Sequence, residues 1–261
     1  MKSIILAAGR GSRLHPLTVN SPKCLTELGG ISIIQRQIET LRHFNVDDIT
    51  IITGYLDDAL SFPGVRTIHN EKWQETNMVE SLFCAEASFG TDLIISYGDI
   101  VYEGRVLEAL IGSSQDISVV VDQEWRPYWS RRFANPLDDA ESLRTDTQGR
   151  ITDIGNPVTN IDEIEAQYIG LMRFKEAGIN FLSKTKHRLG TIQRPWMESR
   201  PLEKAYMTDL LMELILTGHA VHSVPVRGGW IEIDTIEDLT LANELISKGS
   251  VSFLPNLDSA C

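Results

Sequence analysis

No aspartate or glutamate occurs before Glu27, in a chain where acidic residues outnumber basic ones 36 to 24. Lys2, Arg10, Arg13 and Lys23 all fall in that acid-free opening, which leaves 20 basic against 36 acidic residues for the rest. A net charge of −12 repels anions in bulk, so a cationic opening implies local work on one. Cysteine is scarce too. Cys24, Cys84 and Cys261 are widely spaced and odd in number, and they form no CxxC pair, which argues against a disulfide framework or a cysteine metal site. No run approaches 18 apolar residues, so no membrane span is expected. The short apolar N-terminus stops at a glycine loop, not at a signal-peptide cleavage site. These features together point to a cytoplasmic protein. The chain lacks the long basic stripe that displaces counterions from a duplex, so nucleic acid is not an expected partner. It has no internal repeat, low-complexity tract or Pro/Gly/Ser-rich linker.

What is present suits a packed enzyme-sized body. Hydrophobic residues make up 42% of the 261, enough for a sizeable core. Met1 to Leu6 reads as a buried strand. Ile31 to Phe44 repeats Ile34, Ile38 and Leu41 at helical spacing. Strands are expected at Asp48 to Thr53, Val65 to Ile68, Leu93 to Ser96 and Ile117 to Val121. Helices are expected at Met78 to Phe89, capped by Asn77 with Glu80 as its partner, and at Arg105 to Ile111. This alternation predicts an α/β, Rossmann-like, mostly parallel sheet with helices on both faces, and ligands at the carboxyl ends of its strands. The rhythm breaks after Val121. A hairpin is expected from Ser142 to Arg144 and Ile151 to Ile154, then a strand at Ala166 to Phe174. A helix at Pro201 to Leu216, a strand at Ala220 to Val226 and a closing helix at Thr235 to Ser247 complete the body. The expected organisation is a single domain over 1–249, with a nucleotide-binding core at 1–121 and a smaller acceptor-binding lobe at 122–249. A loose tail would follow at 250–261.

The informative segment is Leu6-Ala7-Ala8-Gly9-Arg10-Gly11-Ser12-Arg13-Leu14-His15-Pro16-Leu17-Thr18, followed by Ser21-Pro22-Lys23. A strand that runs into two glycines and two arginines is a cradle for a polyphosphate: the glycines admit backbone N–H groups and the arginines neutralise oxygens. No Gly-Lys-Ser/Thr follows, which disfavours a P-loop kinase. The segment resembles the signature of the nucleotidyltransferases that make sugar nucleotides and CDP-activated compounds, the sugar-nucleotide and MobA-like NTP transferases. Their pattern is roughly L-A-A-G-x-G-x-R-L-x-P-L-T, then P-K. Further residues extend the likeness to about residue 245. Gly98-Asp99 closes a strand as the family's metal-binding aspartate does. Gly229 to Thr235 is similar to the segment that supplies the second carboxylate, here Asp234. Gln167-Tyr168-Ile169-Gly170-Leu171 is similar to the strand that lies against the acceptor. Asn77-Met78-Val79-Glu80-Ser81-Leu82 resembles a motif of the small-substrate branch, the phosphocholine and phosphonate cytidylyltransferases.

The resemblance implies a Mg²⁺-dependent transfer of CMP from CTP to a small phosphorylated or phosphonylated acceptor, with release of pyrophosphate. Phosphocholine, aminoethyl- and hydroxyethylphosphonate and a phosphorylated amino acid amide are all open as acceptors. It places Mg²⁺ on Asp99 and Asp234, and the nucleotide on Leu6, Ala7, Ala8, Gly9, Arg10, Gly11, Ser12, Arg13, Lys23, Asn77 and Ser81. Lys23 would neutralise the α-phosphate or the acceptor, and Arg13 the β- and γ-phosphates. No general base is needed, because a phosphate dianion is already a nucleophile. Acceptor contacts are expected from Tyr168, Gly170, Glu232 and Trp230, and from the aromatic run Trp125-Arg126-Pro127-Tyr128-Trp129, read as a loop beside the ligand. Plainer roles stay open. Asp99 would serve as a strand-end turn residue and Asp234 as the N-cap of the last helix. The tryptophans, Trp196 included, would simply pack, and Asp138 and Asp139 would form a solvated turn, bind an ammonium or assist a second metal. Two other readings remain, a sugar-1-phosphate uridylyl-, thymidylyl- or guanylyltransferase and a regulatory module that only binds nucleotide. Self-association is left open.

Overall fold

The computed structural model describes residues 1–192 and 200–254, so Trp196 and residues 255–261 of the tail lie outside the described residues. β1 (Lys2–Leu6) leads through the glycine loop to two short strands, β2 (Glu27–Leu28) and β3 (Ile31–Ser32), and to α1 (Ile33–His43). Then follow β4 (Asp48–Thr53), β5 (Val65–His69), α2 (Met78–Phe83), β6 (Asp92–Tyr97), β7 (Ile100–Tyr102), α3 (Gly104–Ile111) and β8 (Ile117–Asp122). The second half contributes α4 (Trp125–Arg132), the hairpin of β9 (Glu141–Thr145) and β10 (Ile151–Pro157), and β11 (Gln167–Lys175). After these come α5 (Ala177–Gly190), α6 (Met207–Leu216), β12 (His222–Val226), β13 (Trp230–Glu232) and α7 (Ile236–Ser247).

Seven strands form one sheet in the order β12-β8-β11-β6-β1-β4-β5. Every neighbouring pair is parallel except the two made by β11, which runs antiparallel to β6 and β8. The central strands are buried on both faces, which explains their near-continuous apolar runs. Ile34, Ile38 and Leu41 of α1 and Val106, Leu107 and Leu110 of α3 pack on one face. Val79 and Leu82 of α2, Leu182 of α5 and Leu210, Leu211 and Leu214 of α6 pack on the other. The α/β sheet covered on both faces is therefore as expected. Among the described residues no helix is long and apolar enough to cross a membrane.

Four local expectations change. The 125–129 run is helical and not a loop: Pro127 falls in the first turn of α4, where its missing N–H costs no intrahelical bond. α5 was not foreseen. α2 stops at Phe83, and Glu80 pairs with Lys186 at 2.6 Å and does not complete a capping box. The tail is anchored inside its expected loose region. Phe253 is 4% exposed, in a cluster with Leu14, Leu28, Ile33, Ile231 and Ile233, and Arg36 donates to its carbonyl at 3.5 Å. Replacing Phe253 with Ala is expected to lower unfolding stability by about 3 kcal/mol, read from urea denaturation; a loss within about 0.5 kcal/mol would contradict the anchoring.

Candidate active site

Asp99 and Asp234 are far apart in sequence and meet through a two-stranded ribbon. β7 and β13 pair antiparallel, with Ile100 opposite Glu232 and Val101 opposite Ile231, and the Ile233 N–H donates to the Asp99 carbonyl at 2.9 Å. Gly98 ties the same point to β1, its N–H donating to the Leu6 carbonyl at 2.9 Å. The strand ends thus bring Asp99, Asp234 and the glycine loop to one place, the carboxyl end of the parallel strands.

Lys23 lies between the two aspartates. Its Nζ is 2.7 Å from Asp99 Oδ2 and also donates to Asp234 Oδ1. Arg13 donates to Asp234 Oδ2 at 2.9 Å. Gly11, at φ +69°, lets the loop close on the lysine stem, because a β-carbon there would lie 2.7 Å from Lys23 Cβ. Asp234 is free of helix capping: Thr235 caps α7 and Asp238 completes the capping box. One carboxylate oxygen from each of Asp99, Glu232 and Asp234 lies within 4.8 Å of the others. Asp99 Oδ1 is buried and has no hydrogen-bond partner among the described residues.

Charge controls the protonation of this knot. Burial works to lower the Lys23 ammonium, but Asp99, Asp234 and Glu232 together outweigh it and hold it above the ordinary lysine range. Burial opposes the charge on Asp234 as well, yet Lys23, Arg13 and Arg132 keep its carboxyl below the usual range. Glu232 goes the other way. Burial raises it well above an ordinary carboxylate, against Arg132, with Asp234 and Asp99 adding to the rise.

Beside the knot opens a cavity of about 280 Å³. Seven of the residues singled out in the sequence line it: Arg13, Trp129, Tyr168, Gly170, Trp230, Glu232 and Asp234. A register shift between Tyr168 and Met172 breaks the β11 ladder at this point. Gly170, at φ +80°, leaves room for the Tyr97 ring, which a β-carbon would meet at 2.6 Å. A smaller pocket of about 50 Å³ joins Leu6, Ala7 and Gly9 to Lys23 and Asp99.

Other expected residues stand elsewhere. Trp125 is 1% exposed, inside the core, so it lines neither pocket. Arg126 lies at the surface on Asp162, at 2.9 Å. Arg10 rests over the Tyr55 ring. Asn77 caps α2 by accepting from the Met78 N–H, and Ser81 is buried, its hydroxyl accepting from Asn70 at 3.0 Å. Asp138 and Asp139 separate in role: Asp138 accepts from Asn135, whereas Asp139 lines the cavity and accepts from Trp129 Nε1 at 3.1 Å. Burial raises the Asp139 carboxyl, with Arg132 opposing. Glu141, Tyr206 and Thr208 also line the cavity; they come from the hairpin and from α6, which no local pattern ties to the loop.

Glu232 supplies a pH test. Its folded-state value lies above its unfolded one, so the native state keeps a proton that the unfolded chain loses as pH rises above about 4.5. Native stability therefore falls with rising pH through this group, and a glutamine at the position removes the effect. In chelator-treated buffer, Glu232→Gln is expected to gain on the wild type by about 1 kcal/mol or more between pH 5 and pH 8 in urea unfolding. A gap that stays constant over that range contradicts the raised value.

Three comparisons extend the geometry. The MobA-like NTP transferase domain matches residues 3–154. A CTP:phosphoglutamine cytidylyltransferase from Campylobacter jejuni is 40% identical over 256 residues, 94% of this chain and all of that protein. A choline-phosphate cytidylyltransferase from Streptococcus pneumoniae is 36% identical over 118 residues, 44% of this chain and 52% of that protein. In three dimensions, the solved CTP:phosphocholine cytidylyltransferase of Streptococcus pneumoniae superposes with a TM-score of 0.72 at 22% identity, over 94% of this chain and 98% of that one, a likeness of fold. With the signature loop, the paired aspartates at the strand ends and these matches in agreement, the chain belongs to the MobA-like NTP transferase family.

Proposed function

We propose that this chain is a cytidylyltransferase that moves CMP from CTP to a small phosphorylated or phosphonylated acceptor bearing an ammonium group, releases pyrophosphate, and uses Mg²⁺ held by Asp99 and Asp234. The observation that carries it is the juxtaposition of Lys23, Asp99 and Asp234 with a cavity whose wall is aromatic and acidic. The Campylobacter relative, named for CTP and phosphoglutamine, and the Streptococcus relative, named a choline-phosphate cytidylyltransferase, support the same choice.

The donor set fits a hard divalent cation. All three clustered side chains are carboxylates, and a buried Asp99 oxygen without a partner is a ligand atom in waiting. When bound there, Mg²⁺ supplies positive charge to the phosphoryl oxygens as they crowd together. The remaining work falls to the chain. Backbone N–H groups from Gly9 to Ser12 receive the triphosphate, and Lys23 meets the α-phosphate, where charge concentrates as the acceptor oxygen attacks and the bond to pyrophosphate breaks. Arg13 lines the cavity and touches Asp234, so its guanidinium is poised over the same phosphoryl centre. Both reactants are anions, and no residue has to remove a proton. Asp139, Glu141 and Glu232 give the cavity an acidic lining whose carboxyl oxygens accept hydrogen bonds, and Trp129, Tyr168 and Trp230 add aromatic surface, a combination that favours an alkylammonium.

Pyrophosphate release tests this with CTP, UTP, dTTP and GTP against phosphocholine, O-phosphoethanolamine, 2-aminoethylphosphonate, phosphoglutamine and glucose-1-phosphate. CTP with an amine-bearing acceptor is expected to lead. Turnover with UTP and glucose-1-phosphate and none with CTP would reject the proposal. Asp99→Asn is expected to cut kcat by about a hundredfold or more with little change in Tm; a variant that keeps most of its activity in Mg²⁺ contradicts the role given to Asp99.

A further inference from the structure

Arg132 is tightly enclosed near the cavity. Its side chain is 1% exposed, with its guanidinium carbon 5.4, 5.4 and 5.1 Å from the ring centres of Tyr128, Trp129 and Phe133. Inside this aromatic sleeve the fork divides between two carboxylates. One amino group reaches Glu232 Oε2 at 2.5 Å, and the other two nitrogens reach Asp238 at 2.9 and 3.4 Å. Asp238 in turn accepts the backbone N–H groups of Asp234 and Thr235, both at 3.0 Å. Tyr128, one helical turn before Arg132, holds the same strand by its main chain. Its hydroxyl accepts from the Glu232 N–H at 3.0 Å and donates to the Glu232 carbonyl at 3.2 Å.

We infer that Arg132 is a positioning residue that sets acceptor selectivity. It fixes Glu232 at the cavity wall and, through Asp238, the turn that carries Asp234. The inference rests on the proposed transfer to an amine-bearing acceptor. A buried guanidinium must be paired, and planar two-way pairing locks rotamers in a way that a single ammonium does not. Left alone, the Glu232 side chain would be free to turn away from the cavity. Gripped from behind, it presents its carboxyl group to the cavity at one place. An ammonium on the acceptor then meets a fixed partner, and the phosphoryl end is aligned on Lys23 and Arg13.

Arg132→Lys tests this, because it keeps the charge and removes the fork. The reading is kcat/KM for the best amine-bearing acceptor of the panel above, divided by kcat/KM for 3,3-dimethylbutyl phosphate, an uncharged-tail isostere of phosphocholine. That ratio is expected to fall by about tenfold, mostly through the acceptor KM, with the KM for CTP changed by about twofold or less. Asp238→Asn, which keeps shape and weakens the grip, is expected to move the ratio the same way by a smaller factor. Phe253→Ala, destabilised by lost core packing at a residue that does not line the cavity, is expected to keep the wild-type ratio, so a merely structural role for Arg132 is distinguishable. An unchanged ratio in both Arg132→Lys and Asp238→Asn overturns the inference and leaves the proposed function standing. A wild-type protein inert with CTP and every acceptor of the panel overturns both.

Discussion

The site depends on holding like charges together. Three carboxylates share a region within 4.8 Å, and Asp238 and Asp139 stand close behind. Negative charges this close repel, and burial removes the water that would screen them. Three cations answer: Arg13 and Lys23 from the segment between β1 and β2, and Arg132 from α4. The balance is uneven, and the unevenness carries information. Asp234 touches Lys23 and Arg13 and has Arg132 nearby, so it stays charged; Glu232 is left mainly to Arg132, and burial prevails. The lysine, pulled by all three carboxylates, is held charged despite its own burial.

This balance explains why the fold spends a two-stranded ribbon on so small a region. β7 and β13 bury Ile100, Val101, Tyr102, Trp230 and Ile231, and their register sets the distance between Asp99 and Asp234. α4 serves the same end from the other side. Trp129 and Trp230 pack together at 5.8 Å, which seats the helix against the ribbon and delivers Arg132 under the carboxylates. Core packing and electrostatics are therefore one arrangement here. A shift of α4 along its axis would carry the guanidinium away from Glu232 and Asp238 together.

Local features were legible in the chain. The strand-to-glycine-loop transition, the apolar strands, α1 and α3 and the hairpin each depend on neighbours in sequence, and period or turn chemistry reveals them. Lys23, Asp99 and Asp234 were picked out, but the contacts among them join residues from 76 to 211 positions apart, which no period encodes. The aromatic run misled for a physical reason. Pro127 and two bulky tryptophans lower apparent helix propensity, whereas the interior they fill makes the helix. Once helical, the run sends its residues to different places: Trp125 into the core, Arg126 to the surface and Trp129 to the cavity. Read as a loop, all three pointed equally at a ligand. Asp138 and Asp139 were ambiguous because an acidic turn at the surface and an acidic wall of a cavity have the same sequence, and Glu141 carried no signal of its own.

Charge placement also bears on how an acidic protein handles two anions. Arg13 lines the cavity itself and Lys23 the small pocket beside the glycine loop, while Asp139, Glu141 and Glu232 share the cavity wall, so the charge gradient is local to the site. On the proposed reading, a dipolar acceptor entering that gradient has one favoured orientation: its phosphoryl group turns to the cations and its ammonium to the acids. The reverse orientation sets phosphate against carboxylate. The net charge of −12 is then no obstacle to the proposed transfer, because the field a phosphate meets at the site is set by Arg13 and Lys23 close by.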